Sequence, residues 1–551
     1  MTSNLQDVVK TSSTPVRLTV PARDTVENPN VETNPAKLHQ WVEQLPFAHP
    51  SRMAEALLTS LFQLNRFPGA VTKRSELMAC YQLPFTSLYR LARKTSNSKA
   101  SQTPGQQQAN ISALTIQITT ELAYGYKLII NEMLEQRVKA TNKPQFCNAI
   151  YSAINAITLE QMLEYSEFIP DSKTAWREIY QLYGLAEQYH LEHAIVEEET
   201  SISLLFKRIL LIVLIDPYRL QLGEVWSCYE YLAHWAVKAD LQQQAVVPKD
   251  ITGVFLLDLQ SMQPPKPPKP GQKLQPDRHR IFSVAPLNLI VHQHMRQIRN
   301  EEGSTPNGTA HIPPNEINQM FRHMLLAWHV RPTRRSERQE QYGTHLAAYG
   351  LSAVTNFLLQ GSFCQNGQTA NIGDTCEDTD QTLEERHSFR RENVHFEVHR
   401  WRIYNRSTSG VGIIIPPPFP TKLQVGQIIL IEIDTNQQDK HLMPGTVRRI
   451  VERDTNTLEA GVQFIHGRVS PISIRPYNID TSVTADFQHA LALNPGGKAS
   501  RTLLTPHGMY KRQQKFMLGF GGKTYLVQAS KLAESTPIFD RFEYQEIILE
   551  K

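Results

Sequence analysis

The sequence predicts a multidomain α+β protein, with a helical N-terminal half and an antiparallel β-barrel in the C-terminal third. Three observations support this fold class. A chain of 551 residues is too long for one hydrophobic core. Apolar residues recur at three- and four-residue spacing between about 37 and 258, which is typical of amphipathic helices. Beyond about residue 400, short runs rich in β-branched residues are bounded by Gly, Pro, Asn or Asp, which indicates a small barrel.

Changes in composition divide the chain into six segments. The N-terminal segment is polar and proline-punctuated without periodicity, so we expect it to be disordered. The string QPPKPPKPGQKLQPD is proline-rich and basic, and it predicts a semi-extended spacer. The predicted segments are a disordered leader (1–36), a helical domain (37–258), a proline-rich linker (259–280), a second helical segment (281–330), a β-barrel with an insertion at about 351–395 (331–477) and a small β-rich unit (478–551).

Two stretches of the helical domain resemble each other. The first, AWREIYQLYGLAEQYHL, has Trp176, Tyr180 and Ala186 on one face. The second, VWSCYEYLAHWAVKADL, has Trp226 and Tyr229 in similar positions. Large aromatic side chains against small alanines allow helix hairpins to stack, as in tetratricopeptide solenoids. Two copies at a spacing that does not match that repeat favour an ordinary helical bundle, with a tetratricopeptide-like region as the alternative, and the expected role is scaffolding.

Composition and charge exclude several classes of function. The hydrophobic fraction of 40% and the charged fraction of 20% are those of an ordinary globular protein. A formal net charge of +4 is too small on this length for wholesale nucleic-acid binding, so no DNA or RNA partner is expected. The strongest apolar stretch, Leu204–Ile215, contains Lys207 and Arg208 and is too short for membrane insertion. The five cysteines form no CxxC pair and the N-terminus resembles no secretory signal, which favours the cytoplasm.

One string in the helical domain has side chains of the kinds that bind metals. YHLEHAIVEEE places His190, His193 and Glu197 on one face of a predicted helix. The string has no HExxH frame, and a solvated charged helix accounts for it better. We therefore expect neither a metal site nor a cofactor.

The β region contains a recognisable turn. From Trp401 the chain reads WRIYNRSTSGVGIIIPPP, then GQIILIEID, GTVRRIVERD and LEAGVQFIHG, and Asn405, Ser407 and Gly410 spell NxSxxG. Here the sequence resembles the PilZ family, whose signature is an arginine-rich RxxxR segment followed by a (D/N)xSxxG turn. The resemblance covers roughly residues 330–475. It implies a barrel that binds cyclic di-GMP.

The side chains of this signature suit that ligand. Cyclic di-GMP presents two phosphates and two guanines, and a guanidinium can bind a phosphate bidentately, bond the O6 and N7 atoms of guanine, or stack on the purine. The Asn405 amide and the Ser407 hydroxyl can complete the polar contacts. We expect Gly410 to adopt a positive φ and to let the backbone approach the ligand.

Two arginine clusters compete for the RxxxR half of the signature. In VRPTRRSERQEQ the candidates are Arg334, Arg335 and Arg338. In ERHSFRREN they are Arg386, Arg390 and Arg391. Arg390 precedes Asn405 by 15 residues, which leaves room for one strand, whereas Arg338 precedes it by 67 and leads directly into YGTHLAAYGL, a plausible first strand. The first cluster is favoured, and the second stays open.

No catalytic signature accompanies the barrel, so we expect no enzyme. The chain contains no GxSxG, HExxH, kinase, GGDEF, EAL or HD-GYP string, and Gly519, Gly521 and Gly522 are interpreted as turn residues rather than a phosphate loop. The expected function is a cytoplasmic cyclic di-GMP receptor or adaptor that couples the ligand to a protein partner through its helical half. The alternative is a degenerate PilZ-like module for protein interaction or assembly, without nucleotide binding.

Overall fold

The computed structural model describes residues 18–26, 28, 30–68, 73–96, 106–197, 200–300, 305–329, 338–361, 363, 396–417, 419, 423–434, 440–454, 457–477, 486–496, 500–536 and 538–547. These residues form a helical N-terminal half and two closed antiparallel barrels, each of six strands. The predicted fold class is confirmed, with one barrel more than the sequence indicated. Within the described ranges, no helix is both long enough and apolar enough to cross a membrane.

Within the described part of the chain, the helical half contains nine α-helices before residue 236. They are α1 (Pro35–Glu43), α2 (Pro50–Arg66), α3 (Arg74–Cys80), α4 (Gln82–Ser96), α5 (Gln106–Glu135), α6 (Lys143–Ser166), α7 (Lys173–Gln188), α8 (Ile202–Leu214) and α9 (Glu224–Trp235). Asn34 caps α1 by accepting from the amides of residues 36 and 37, and Pro35 suits the first helical position. Trp176 and Trp226 are both fully buried, so the two similar stretches supply aromatic anchors of one core.

Residues 18–26 were predicted to be disordered, and the structure corrects this. Leu18 is buried in the helical core, and the backbone N–H of Thr19 donates to the Glu178 carboxylate at 3.2 Å. An apolar anchor and a backbone bond are enough to hold an otherwise polar segment. Residues 1–17 lie outside the described ranges.

The region predicted as the last helical turns and the linker contains a sheet. It holds β3 (Asp240–Gln242), β4 (Val254–Asp258) and β5 (His279–Ser283), in the order β3-β5-β4, after a short pair formed by β1 (Ile195–Glu197) and β2 (Thr200–Ser201). The proline-rich segment is not a free spacer. Lys266, which retains its N–H between prolines, exchanges both backbone bonds with Leu256 at 2.7 and 3.0 Å. Prolines can border a strand wherever the bonding residue is not itself proline.

The second helical segment joins the first core. It consists of α10 (Ala285–Arg299) and α11 (Pro314–His329). Phe321 and Trp328 of α11 are buried in the same hydrophobic cluster as Trp176. The helical half therefore extends to residue 329 as one packed unit.

The first barrel follows. Its strands are β6 (Gln339–Tyr349), β7 (His399–Ser407), β8 (Gly410–Ile415), β9 (Ile428–Asp434), β10 (Lys440–Asp454) and β11 (Thr457–Phe464), closed in the order β10-β11-β8-β7-β6-β9. Its core holds alternate residues of these strands, among them Ile403, Ile413 and Ile431. Within the predicted insertion, α12 (Leu351–Gln360) packs between this barrel and the next, with Val354 against Leu491 in one cluster.

The second barrel begins earlier than predicted. Its strands are β12 (Arg468–Pro476), β13 (Gln488–Asn494), β14 (Thr502–Pro506), β15 (Lys515–Phe520), β16 (Lys523–Ser535) and β17 (Phe539–Glu546), closed in the order β12-β13-β14-β17-β16-β15. The predicted boundary at residue 477 is wrong because β12 pairs with β13 and β15 rather than with the first barrel. Gly521 and Gly522 form the β15–β16 turn with φ of 58° and 70°, whereas Gly519 lies within β15.

Candidate functional site

A cavity of about 430 Å³ opens on the outer face of the first barrel. That volume lies in the range of small-molecule sites, roughly 300–1,000 Å³. Its walls come from β6, β7, β8 and β10. The lining residues are Arg338, Glu340, Tyr342, Arg402, Tyr404, Asn405, Ile414 and Arg453.

Strand geometry explains why these side chains meet. Every second residue of a strand faces the same side, so Arg338, Glu340 and Tyr342 share one face at the start of β6. On β7 the outward residues Arg402 and Tyr404 alternate with the core residues Trp401 and Ile403. Since β6 and β7 pair antiparallel, the two rows lie side by side and form the cavity floor.

An irregularity in β7 brings Asn405 to the same cavity. The register with β8 shifts between Ile403 and Asn405, so two consecutive residues, Tyr404 and Asn405, both line the cavity. Gly412 of β8 lies beneath them. A Cβ there would approach the Tyr404 ring to 2.6 Å and the Asn405 Oδ1 to 2.7 Å, so glycine leaves the space that both side chains occupy.

The cavity is electropositive. Among the residues that the structure describes, three guanidinium groups and one carboxylate line it, an excess of two positive charges. The Arg453 guanidinium carbon lies 5.7 Å from the centre of the Tyr404 ring, within cation–π range. Together these groups offer donors for anions and a partly exposed aromatic face.

The Tyr404 hydroxyl is held as a donor. It donates to Glu459 Oε1 at 2.5 Å. Burial, together with this bond to the Glu459 carboxylate, raises the pKa of Tyr404 to about 12, although the Asn405 side chain acts in the opposite direction. The phenol therefore stays protonated at neutral pH. At the rim, the hydroxyl of Tyr342 donates to Glu340 Oε2 at 3.1 Å, and this bond raises the pKa of Tyr342.

The three residues of the NxSxxG turn have different positions. Asn405 lines the cavity. The Ser407 hydroxyl donates to the Gly410 carbonyl at 3.2 Å and so closes the β7–β8 turn. The expectation of a positive φ at Gly410 is wrong, because this residue is in ordinary strand conformation. Its lack of a side chain is required for a different reason: a Cβ would lie 2.3 Å from the Val462 carbonyl oxygen of β11.

The two arginine clusters differ in how far the structure describes them. Arg338 lines the cavity and immediately precedes Gln339, which pairs with Arg406 beside the turn. Arg334 and Arg335 lie outside the described residues. The second cluster, Arg386, Arg390 and Arg391, lies outside them as well.

Sequence reasoning missed Glu340, Arg402 and Arg453 as cavity residues. For Arg402 a signal existed, because it alternates with the core residues of a strand that ends in the NxSxxG turn. Arg453 carries no such signal. It reaches the cavity only because β10 pairs with β11, and β11 with β8.

The histidines that were considered as metal ligands do not share a helical face. Helix α7 ends at Gln188, and His190 follows with a left-handed φ of 56°. His193 lies in the connection and Glu197 in strand β1. Among the described residues, no three His, Cys, Asp or Glu side chains cluster as a metal site would require.

The fold and the cavity correspond to a known class of domain. Residues 386–473 match the family model of the PilZ domain, so the chain carries a PilZ domain, as the NxSxxG turn predicted. Residues 36–246 match the model of the N-terminal domain of the cyclic-di-GMP receptor FimW, and residues 472–547 match the model of the FimW C-terminal β-barrel domain. The latter match agrees with the observed start of the second barrel.

Similarity to one curated protein extends over the whole arrangement. The chain is 21% identical to the cyclic-di-GMP receptor FimW of Pseudomonas aeruginosa, over 568 aligned positions that cover 93% of this chain and 91% of the relative. The PilZ match begins at Arg386 and so includes the second arginine cluster, whereas strand β6 and Arg338 precede it. The match thus includes the second cluster, whereas Arg338 of the first cluster lines the cavity.

Proposed function

We propose that the chain is a cyclic di-GMP-binding signalling receptor, or adaptor, that couples the second messenger to a protein partner through its helical half. The main supporting observation is that Arg338 and Asn405, from two motifs far apart in the sequence, line one electropositive cavity on the PilZ barrel. The similarity to a protein named as a cyclic-di-GMP receptor supports the same ligand.

The charges of the cavity suit the two phosphates. Arg338, Arg402 and Arg453 supply guanidinium groups that can bind phosphate oxygens bidentately. The excess of two positive charges among the described lining residues matches the charge of the two phosphodiesters. The attraction between guanidinium and phosphate is stronger inside a partly enclosed cavity than in bulk water, because the local dielectric is lower.

The remaining side chains suit guanine. The Tyr404 ring and the planar guanidinium of Arg453 offer faces for stacking a purine. The Glu340 carboxylate is an acceptor of two hydrogen bonds, and the N1–H and N2–H₂ groups of guanine are adjacent donors. Adenine offers no such pair, so Glu340 would select guanine.

The first arginine cluster is the proposed clamp. Arg338 lies one residue before the strand that pairs with the turn, so ligand bound at Asn405 would be within its reach. Arg334 and Arg335 are proposed to act beside it. Arg386, Arg390 and Arg391 are the competing set, supported by the extent of the PilZ match. We propose no catalytic role for any of these residues and place the receptor in the cytoplasm, where such a ligand would act.

Calorimetric titration of the full chain with cyclic di-GMP, and separately with GTP, tests the proposal. We expect a dissociation constant in the micromolar range or below for cyclic di-GMP, and weaker binding of GTP, which lacks the second guanine. Absence of heat up to about 100 μM ligand, equivalent to a binding free energy weaker than about 5.5 kcal/mol, would instead support the degenerate interaction module.

A further inference from the structure

Strand β10 contacts both the cavity and the helical half. Arg453, near its end, lines the cavity. Val451, two residues earlier, is buried in the core of the helical half rather than in that of the barrel. Between them, the backbone N–H of Glu452 donates to the Phe168 carbonyl at 2.8 Å. The strand therefore fixes the cavity wall to the segment that follows α6.

The helical half also contributes a side chain to the core of the first barrel. Phe168 packs against the core of the first barrel. Its φ of 61° is unusual for a residue other than glycine, and such a conformation persists only when surrounding contacts hold it. Among the described residues, Val451 of the barrel thus lies in the helical core, and Phe168 of the helical half packs against the barrel core.

Side chains form a second connection, parallel to the backbone one. Glu459 Oε1 accepts from the Tyr404 hydroxyl at 2.5 Å and lies 3.8 Å from the Arg449 guanidinium. The guanidinium carbon of Arg449 is in turn 5.5 Å from the centre of the Tyr218 ring, which belongs to the helical half. One carboxylate oxygen thus connects a cavity residue with the residue that reaches across the interface.

Both connections end at the same part of the helical half. Tyr218 lies in the 3₁₀ turn Pro217–Arg219 and donates from its hydroxyl to the Ile169 carbonyl at 3.0 Å. Its ring meets that of Tyr165 edge-on, with 5.8 Å between centroids. Ile169 is the neighbour of Phe168, so the side-chain route and the backbone bond meet just beyond the end of α6.

We propose that Glu459 and Arg449 are positioning residues that transmit occupancy of the cavity to the end of α6 and to the 3₁₀ turn at Tyr218. This inference rests on the proposed function. A ligand that contacts Arg453 and Tyr404 restrains the Tyr404 hydroxyl that bonds Glu459, and thereby the Arg449 guanidinium that lies beside Glu459 and over Tyr218. The ligand then favours the state in which Arg449 contacts Tyr218, because it binds that state better. The backbone hydrogen bond between Glu452 and Phe168 is the fixed point of contact between the barrel and the helical half.

Hydrogen exchange of the full chain, with and without saturating cyclic di-GMP, tests the inference. We expect the ligand to slow exchange in peptides that cover residues 165–171 and 215–220 by about fivefold or more, the low end of usual coupling between sites. In Arg449→Gln the same peptides should respond by less than about twofold. We expect the affinity for cyclic di-GMP to change little, because we take the contact between Arg449 and Tyr218 to be formed in most molecules of the free protein.

The neighbouring arginine provides a matched control. Arg448 lies on the same strand, but its guanidinium binds Glu534 of the second barrel at 2.6 Å. Arg448→Gln removes the same charge and should leave the ligand response at residues 165–171 and 215–220 as in the wild type. Glu459→Gln, which retains an acceptor for Tyr404, should reproduce the effect of Arg449→Gln. Agreement between the two variants would show that the effect does not come from a folding defect of one of them.

The outcomes separate this inference from the proposed function. If calorimetry detects no cyclic di-GMP binding, both are overturned. If the wild type binds the ligand but the two peptides do not respond, or if Arg449→Gln and Glu459→Gln respond like the wild type, only the transmission route is wrong. An equal loss in Arg448→Gln would also overturn it, since the effect would then not depend on the contact with Tyr218.

Discussion

The two barrels have the same number of strands and are both closed, yet they use their polar residues differently. In the second barrel, the buried Asp540 accepts from the amides of Gly508 and Tyr510 at 2.9 and 3.0 Å and from the Ser535 hydroxyl at 2.7 Å. These hydrogen bonds to the Asp540 carboxylate stabilise the fold of the second barrel. In the first barrel, outward rows of arginine, tyrosine and glutamate surround an open cavity. Closure of a barrel therefore does not by itself create a site; in the first barrel, the outward polar rows do so.

Substitution of Asp540 should give the largest effect and confine it to the second barrel. Asp540→Ala removes the acceptor of three hydrogen bonds inside a buried site, and we expect a loss of about 3 kcal/mol in the local free energy of unfolding. Native-state hydrogen exchange of β14 and β17 measures it. Asp540→Asn keeps one acceptor and should cost less. A parallel loss of cyclic di-GMP affinity would show that the two barrels act as one unit.

Substitution of Arg338 should act on the first barrel alone. Arg338→Ala is expected to weaken cyclic di-GMP binding by about 1.5–3 kcal/mol, or roughly ten- to a hundredfold, the scale of a lost charge-assisted bond. Titration calorimetry measures it, with Arg390→Ala as the comparison, which should do little. The reverse ranking moves the clamp to the second cluster. Negligible effects of both, with the fold intact by circular dichroism, favour the interaction module.

Glu340 should decide which base the cavity accepts. In Glu340→Gln the amide replaces one acceptor by a donor, so guanine loses one of its two bonds. We expect the preference for cyclic di-GMP over cyclic di-AMP to fall about tenfold, the scale of one base contact. Competition binding measures the ratio. Glu397→Gln is the control, because Glu397 is 78% exposed and pairs with His399 rather than lining the cavity. An unchanged ratio in Glu340→Gln would exclude Glu340 as the base reader.

A smaller effect is expected where the helical half approaches the second barrel. Burial opposes protonation of His323, but the charge of Glu224 and the 2.6 Å bond to it outweigh this and raise the pKa of His323, with Glu534 adding to the rise. The folded state therefore binds the proton more tightly than the unfolded state. This contribution to stability is fully present below the ordinary pKa of about 6.5 and is lost as pH rises through the raised value.

Thermal unfolding between pH 5.5 and 8.5 measures this contribution. We expect the wild type to lose more stability across this range than His323→Gln. In Glu534→Gln the loss of stability across this pH range should be closer to that of His323→Gln, because the negative charge that helps to raise the pKa of His323 is removed. Identical pH profiles of the wild type and His323→Gln would mean that the histidine does not titrate with folding.

Local patterns in the sequence determined the helical half, the β character beyond residue 400, the NxSxxG turn and the PilZ resemblance. Each of these depends on residues that are close in the chain, such as the alternation of Trp401 and Ile403 with Arg402 and Tyr404. Predictions from local composition were wrong where the chain packs against a segment that is distant in sequence. The proline-rich stretch pairs with β4, and Leu18 is buried in the helical core, because apolar contacts and backbone bonds outweigh local propensity.

Only the tertiary structure decided which residues surround the cavity and how it connects to the rest of the protein. The register shift between Ile403 and Asn405 turns Tyr404 and Asn405 to one side, and the pairing of β10 with β11 and of β11 with β8 brings Arg453 to the same cavity as Arg338. The assignment of β12 to the second barrel and the insertion of Phe168 into the first have the same origin. Strand pairing and core packing join residues that are remote in sequence, and the free energy that selects one pairing over another depends on the whole assembled barrel.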